Sequence, residues 1–179
     1  MEGGSISVTG DADMSLKAHS QNVCKISTEL GKIMGLSEGQ LNELRIAALL
    51  HDIGKIKIPN EVLNKKGHLT NEEMDIMKKH VIYGAEMVQN IGYDGYIINA
   101  VLSHHERPDG KGYPEGLCSE DIPLLSKIIA VADSYDAMTS RRIYRENVLS
   151  KEEALQELKD NSGKQFDPEV IRIFIENVI

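Results

Sequence analysis

The chain has 179 residues, of which 41% are hydrophobic and 27% charged, a composition typical of one compact globular domain. It contains no apolar run long enough to cross a bilayer and no basic-then-apolar secretory signal, so we expect a cytoplasmic protein without membrane insertion. The formal charge of −8 argues against a nucleic-acid polymer as partner. Two distant cysteines, Cys24 and Cys118, argue against a disulfide scaffold or a thiolate zinc site.

The first third of the chain is predicted to contain a linker and two helices. Residues 1–10 are rich in glycine and serine and are interpreted as a tag remnant or linker, so the domain is assigned to 11–179. The spacing of apolar residues predicts a helix over about 13–34. A capping box that begins at Ser37 starts a second helix, which should end near 54–59.

The middle of the chain is predicted to be helical up to one irregular loop. A capping box at Thr70 opens a helix that should continue through His80 to about Val88, and another helix is predicted over 96–105. Residues 106–117 carry three glycines and two prolines in twelve positions, which excludes a helix or a central strand. A long irregular loop in a small helical domain is often functional.

Three further helices are predicted after this loop. The first, over 124–139, is strongly apolar but is interrupted by Asp133 and Asp136. Ser150 caps the next helix, and Pro168 occupies the first turn of the last one. Because no segment alternates like a strand, the predicted fold class is all-α, a single domain of about seven helices.

Two strong metal-ligand types, His51 and Asp52, stand side by side at the end of an apolar run. Burying an unpaired carboxylate beside an imidazole costs on the order of several kcal/mol, and a bound cation is the simplest compensation. Lys55 follows Asp52 by three positions, so on a helix it shares the same face and places an ammonium beside the cation.

The remaining histidines and one aspartate also require an explanation. A lone helical histidine is more often hydrogen-bonded in the core than bound to a metal, and His68 lies in a predicted loop. The adjacent pair of His104 and His105 is harder to explain in this way. Asp133 interrupts an apolar run, and the alternative to metal ligation there is an ion pair with Arg142.

Together these residues suggest a site for two metal ions. Five imidazoles and two carboxylates exceed the needs of one catalytic ion and suffice for two if one carboxylate bridges. A nitrogen and oxygen set without thiolates suits iron, manganese, nickel, cobalt or zinc, and disfavours calcium and magnesium. Of these metals, iron and manganese are the ones we expect first. Two such ions are suited to phosphoester hydrolysis. The candidate ligands are His19, His51, Asp52, His80, His104, His105 and Asp133.

Three stretches resemble the HD-GYP phosphodiesterases, a bacterial branch of the HD metal-dependent phosphohydrolases. The first is His51-Asp52-Ile53-Gly54-Lys55. The second is His104-His105-Glu106-Arg107-Pro108-Asp109-Gly110-Lys111-Gly112-Tyr113-Pro114. The third runs from Asp133 to Arg145. The resemblance covers the chain from about His19 onward, and an ordered set of this kind is specific.

The resemblance implies an HD-type helical domain that hydrolyses the bacterial second messenger cyclic di-GMP to pGpG, and in many members onward to GMP. One ion is implied to be held by His19, His51, Asp52 and Asp133, and the second by His80, His104 and His105, with Asp52 bridging. Lys55 is implied to orient the attacking water, so Lys55 and Asp52 are the catalytic candidates. Substrate contacts are implied for Tyr113, Asp136, Arg142 and Arg145.

The resemblance also implies a partner and shows two departures. The loop at 112–114 is similar to a segment implicated in docking cyclases of the GGDEF type. Some members bind a third ion through a glutamate where this chain has Ser15, so we expect two ions, with Asp11 or Asp13 as the remaining candidate ligands for a third. Ile143 replaces a proline of the third segment, which should alter local stiffness more than chemistry.

Two alternatives to a cyclic di-GMP phosphodiesterase stay open at this point. The domain could bind a cyclic dinucleotide or a GGDEF protein without hydrolysing anything. It could also hydrolyse another cyclic dinucleotide, such as cyclic GMP-AMP.

Overall fold

A computed structural model describes residues 10–140 and 148–177, with side chains from Lys17 onward. All regular elements in these ranges are helical, which confirms the all-α fold class. The α-helices are α1 (Gly10–Ile33), α2 (Glu38–Leu50), α3 (Asn60–Leu63), α4 (Asn71–Lys78), α5 (His80–Ile91), α6 (Gly95–Leu102), α7 (Leu124–Thr139), α8 (Lys151–Asp160) and α9 (Pro168–Asn177). A 3-10 helix, Ile53–Lys57, follows α2.

Several predicted sites fall outside the described part of the chain. Residues 141–147 are among these, so the structure gives no position for Arg142 or Arg145 and does not test the Asp133–Arg142 ion pair. The side chains of residues 11–16 and the first nine residues of the predicted linker are outside it as well. None of the helices that the structure describes is long and apolar enough to span a membrane, and the cytoplasmic location stays a prediction.

The predicted helix starts agree with the structure better than the predicted helix ends do. Ser37, Thr70 and Ser150 each complete a capping box, in which the side chain accepts from the backbone N–H three residues later. The helix predicted to pass through His80 is instead two helices, α4 and α5, and the single-turn helix α3 had not been predicted. The described residues thus contain nine α-helices, one of them a single turn, where the sequence predicted about seven.

The core lies where α1 packs against α2 and α7, with α6, α8 and α9 completing it. Its fully buried side chains include Leu30, Leu44, Ile128 and Phe174. His51 is also fully buried, with 0% of its surface exposed. Polar imidazoles are rarely as buried as core leucines unless something compensates them, so this burial points to a functional site inside the bundle.

Candidate metal centre

Gly54 brings the two halves of the site together by removing the side chain between them. A Cβ atom at Gly54 would lie 1.9 Å from the carbonyl oxygen of His80 and 2.4 Å from the backbone nitrogen of Gly84. The 3-10 helix therefore packs against the bare backbone of α5, a close approach that only glycine permits. This contact places Asp52, just before the 3-10 helix, next to His80 at the start of α5.

Three buried histidines are oriented by the same local hydrogen bond. In each ring the Nδ1 atom lies 2.7 to 2.8 Å from a backbone carbonyl oxygen three residues earlier, so Nδ1 carries the proton and donates. This leaves an unprotonated Nε2 atom pointing into the site. The three rings are His51, bonded to Ala48; His80, bonded to Met77; and His104, bonded to Val101.

His19 is held by a carboxylate instead of a carbonyl. Its Nδ1 atom lies 2.6 Å from Oδ2 of Asp136, and its Nε2 atom lies 3.1 Å from Oδ1 of Asp133. The other oxygen of Asp136 accepts from Asn22 at 2.9 Å and from the Ser140 hydroxyl at 2.7 Å. A buried carboxylate behind an imidazole is the arrangement that orients metal-binding histidines and raises their basicity.

Asp52 lies between two groups of potential metal ligands, one around His51 and the other around His80. Its Oδ2 atom lies 3.3 Å from Nε2 of His51 and accepts from the Lys55 ammonium at 2.6 Å. Its Oδ1 atom lies 3.4 Å from Nε2 of His80. One oxygen of Asp52 therefore faces His51 and the other faces His80, as expected of a carboxylate that is shared between two metal sites.

The structure brings all seven predicted ligand residues together. One group of donor atoms within 4.8 Å of one another comes from His19, His51 and Asp52, and a second comes from Asp52, His80, His104 and His105. Asp133 adjoins the first group, since its Oδ1 atom is 4.0 Å from Nε2 of His51. His68 is exposed in the loop before α4 and takes no part.

The electrostatics of the site favour cation binding. Burial raises the pKa of Asp52, but His51 and Lys55 more than reverse this effect and hold the pKa well below its usual value. Burial lowers the pKa of His104 well below its usual value and that of His105 to about 4. An ionised Asp52 and neutral imidazoles at His104 and His105 are the protonation states that metal ligation needs. The pKa of His51 is raised, because burial lowers it less than the nearby carboxylates of Asp52 and Asp133 raise it.

Buried atoms without hydrogen bonds supply the test of whether a metal fits here. Among the described residues, the buried side-chain atoms that make no hydrogen bond include Nε2 of His51, His80 and His104 and Oδ1 of Asp52. Unsatisfied buried polar atoms are uncommon in native proteins, and these all converge on one small volume. Divalent ions bound to this nitrogen and oxygen set would satisfy them together, so the residues fit a metal centre.

The loop over 106–117 closes one side of the centre and is organised by Glu106. This buried carboxylate accepts three backbone N–H groups, from Glu115 at 2.7 Å, Gly116 at 3.1 Å and Leu117 at 2.9 Å. Gly112 packs on the start of the same loop, where a Cβ atom would lie 2.4 Å from the backbone nitrogen of Arg107. The loop is therefore an ordered structure folded around one side chain.

Tyr113 is carried by this loop to the edge of the metal centre. Its ring centroid lies 4.9 Å from that of His105 and 6.4 Å from that of His80. Burial, with Asp52 and Asp133 nearby, raises the pKa of its phenol, so the hydroxyl stays protonated. This position suits the predicted contact with a substrate bound at the metals.

A cavity of about 260 Å³ opens beside the second donor group. Its walls include Tyr113 and Asp133, as predicted, and several residues that sequence reasoning had not singled out as site residues. These additional residues are Lys78, Glu106, Ser134, Gln165 and Phe166, together with Arg107 and Lys111. Glu106, Arg107, Lys111 and Ser134 lie within the motif stretches quoted above. Lys78, Gln165 and Phe166 lie outside those stretches, so only the three-dimensional arrangement reveals them.

Asp136 occupies a different place from the one its predicted role requires. It is 3% exposed, does not line this cavity, and has both oxygens occupied by His19, Asn22 and Ser140. This placement supports a role in orienting His19 more than a contact with substrate. The predicted substrate contacts of Arg142 and Arg145 lie outside the described residues.

Comparison with known proteins decides the family. Residues 10–170 match the HD domain family, which is nine-tenths of the chain. The chain belongs to the HD domain family. Within it, the motifs at His51 and His104 and the relatives below are of the HD-GYP type. His51 and Asp52, the adjacent pair of the first motif, lie at the middle of the candidate metal centre.

Three relatives illustrate the match of this HD domain. It is 44% identical over 166 residues to a cyclic di-GMP phosphodiesterase of Thermotoga maritima, covering 92% of this chain and 45% of that one. It is 35% identical over 162 residues to a 3'3'-cGAMP-specific phosphodiesterase of Vibrio cholerae, covering 89% and 31%. A solved HDG"Y"P protein of Bdellovibrio bacteriovorus superposes with a TM-score of 0.73 at 27% identity, covering 93% and 53%. The chain spans less than half the length of the curated relatives it matches.

Proposed function

We propose that this HD domain is a metal-dependent phosphodiesterase that hydrolyses cyclic di-GMP to pGpG, and onward to GMP if the linear product can rebind. The observation that carries the proposal is the position of Asp52, whose two oxygens face the hydrogen-bond-free Nε2 atoms of His51 and His80. A carboxylate between two donor groups supports a pair of ions, for which iron or manganese are our first candidates.

The chain's own residues would prepare the reaction in three ways. Bound divalent ions would supply Lewis-acid activation of water and neutralise phosphate charge. Lys55, which donates to Asp52 at 2.6 Å, would keep that carboxylate ionised and orient the attacking water beside it. Asp136 would hold His19 with its Nε2 atom toward the centre, and Tyr113 would position the sugar or base next to His105.

The substrate class is inferred from the relatives of this chain. Relatives named for cyclic di-GMP and for 3'3'-cGAMP both match this chain over most of its length, and the former are the more similar. Cyclic GMP-AMP is therefore the second candidate substrate. Docking of a GGDEF cyclase at residues 112–114 remains a proposal that is supported by the ordered loop around Glu106.

The test is a product assay on metal-loaded protein. Protein reconstituted with iron or manganese and checked by elemental analysis is incubated with cyclic di-GMP, cyclic GMP-AMP and cyclic di-AMP, and products are separated by chromatography. We expect pGpG from cyclic di-GMP, and no product from a folded Asp52→Ala variant. Binding without hydrolysis would identify a receptor instead, and faster turnover of cyclic GMP-AMP would reassign the substrate.

A further inference from the structure

Two lysines on the rim of the cavity have no strong carboxylate partner. Lys78 lies 3.8 Å from Asp75, whose side chain is 74% exposed, so the pair is weak. Within the described part of the chain, Lys111 has no carboxylate within 4 Å of its ammonium, although its backbone N–H donates to Asp109. Both lysines line the cavity beside the metal centre.

The other charged groups of the cavity are already committed. The Arg107 guanidinium makes a two-point pair with Asp109, at 3.0 and 2.7 Å. Glu106 is saturated by three backbone N–H groups. Asp133 belongs to the metal centre through His19. Two ammonium groups thus remain to meet negative charge from outside in a chain of net charge −8.

Lys78 lies close to the candidate metal centre. Its ammonium lies 5.7 Å from the Tyr113 ring centroid, and that ring lies 4.9 Å from His105. The Tyr113 ring therefore lies next to both the Lys78 ammonium and the His105 imidazole. A cyclic dinucleotide carries two phosphates in one small macrocycle, so when one phosphate is at the metals the other must stay within about a sugar's length of it.

We propose that Lys78 and Lys111 form a subsite for the second phosphate of the cyclic dinucleotide, the one that is not being cleaved. This inference rests on the proposed function and adds the residues that distinguish a two-phosphate substrate from a simple phosphodiester. Ammonium groups suit this task because they act as mobile point charges on a non-reacting phosphate. The subsite contributes to binding of the substrate more than to chemistry at the metals.

The test compares a substrate that has two phosphates with one that has a single phosphate. KM and kcat are measured for cyclic di-GMP and for bis(4-nitrophenyl) phosphate, using metal-loaded wild-type protein, Lys78→Ala, Lys111→Ala and the double variant. Lys25→Ala is the matched control, because Lys25 is exposed on α1 and does not line the cavity. Each cavity variant should raise KM for cyclic di-GMP by about tenfold relative to its effect on the small ester.

A second readout separates charge recognition from a structural effect. KM of the wild type for cyclic di-GMP should rise with salt, because salt screens the attraction between the lysines and the phosphate. The rise should be shallower in the double variant, which lacks both ammonium groups. Equal KM changes on both substrates, an unchanged salt dependence, or the same effect in Lys25→Ala would overturn the subsite. If metal-loaded wild type cleaves the small ester but no cyclic dinucleotide, the proposed function itself fails and the subsite fails with it.

Discussion

Asp136 shows how one residue behind the metal centre can control it. Its Oδ2 atom faces His19, and its Oδ1 atom accepts from Asn22 and Ser140. An asparagine at this position has one oxygen and one NH₂ group, so one of these neighbours would face a donor instead of an acceptor. If the NH₂ group faces His19, the ring must protonate Nε2 and can no longer ligate a metal through it.

Asp136→Asn should therefore weaken metal binding without unfolding the protein. We expect a loss of metal affinity of about 10- to 100-fold, measured by competition with a calibrated chelator. Asp121→Asn serves as a control, since Asp121 is exposed and lies outside the site. An affinity within twofold of the wild type would show that the carboxylate does not orient His19.

The contact between the 3-10 helix and α5 sets the geometry of the centre at the scale of elements. Gly54→Ala would insert a methyl group where the carbonyl of His80 and the nitrogen of Gly84 leave no space. We expect the two elements to separate, which should lower the free energy of unfolding by about 1–3 kcal/mol. The separation should also move His80 away from Asp52 and weaken metal binding by the second group of ligands. Thermal unfolding and elemental analysis of the bound metal measure the two effects.

Gly39→Ala is the matched control for that substitution. Gly39 lies in the first turn of α2, and a Cβ atom there would meet nothing closer than the Ser37 hydroxyl at 4.0 Å. Alanine has a higher helix propensity than glycine, by about 1 kcal/mol in helix interiors, so this variant should be neutral or slightly stabilised. Retention of full metal content by Gly54→Ala would refute the proposed role of the close contact.

The loop around Glu106 makes a separate prediction. Glu106→Gln replaces one acceptor oxygen with a donor that faces backbone N–H groups, so at least one of three hydrogen bonds is lost. Amide hydrogen exchange at residues 115–117 should accelerate by about tenfold or more. Glu115→Gln, an exposed change in the same loop, should leave those rates unchanged. Unaltered exchange in Glu106→Gln would mean that the loop does not depend on this carboxylate.

Local signals predicted the element starts, and contacts between distant segments decided the rest. Capping boxes at Ser37, Thr70 and Ser150 were visible in the sequence because each depends on residues only three positions apart. The break between α4 and α5 was missed, since the helical pattern continues across Lys79 and the division coincides with packing on the 3-10 helix. Tertiary contacts commonly override local propensity in this way.

The candidate ligands could be predicted from the sequence, but the residues that hold them in place could not. Buried histidines and aspartates in apolar runs identified the candidate ligands, because such residues are costly without a partner. The bond between His19 and Asp136 joins residues 117 positions apart, and nothing in the local pattern of either residue indicates it. The role of Glu106 was hidden for a similar reason, since its partners are backbone groups.

Because the candidate site buries several histidines, the free energy of unfolding of the whole molecule should depend on pH. Burial lowers the pKa of His80, His104 and His105 below the value near 6.5 expected in the unfolded chain. The unfolded state therefore binds more protons than the folded state as the pH falls from 7 toward 4, and the free energy of unfolding decreases. The pKa of His51 is raised, because attraction to Asp52 and Asp133 outweighs its burial, so His51 opposes part of this loss.

The metal-free protein should therefore lose stability on mild acidification. Each depressed histidine contributes up to about 1.4 kcal/mol per pH unit below its unfolded pKa. Urea unfolding of chelator-treated protein at pH 7, 6 and 5 measures the slope. His105→Gln should flatten this slope, because the folded-state pKa of His105 is about 4. His68→Gln, an exposed change in the loop before α4, is the matched control. A flat pH dependence in the wild type would show that these imidazoles are hydrated or already protonated in the folded chain.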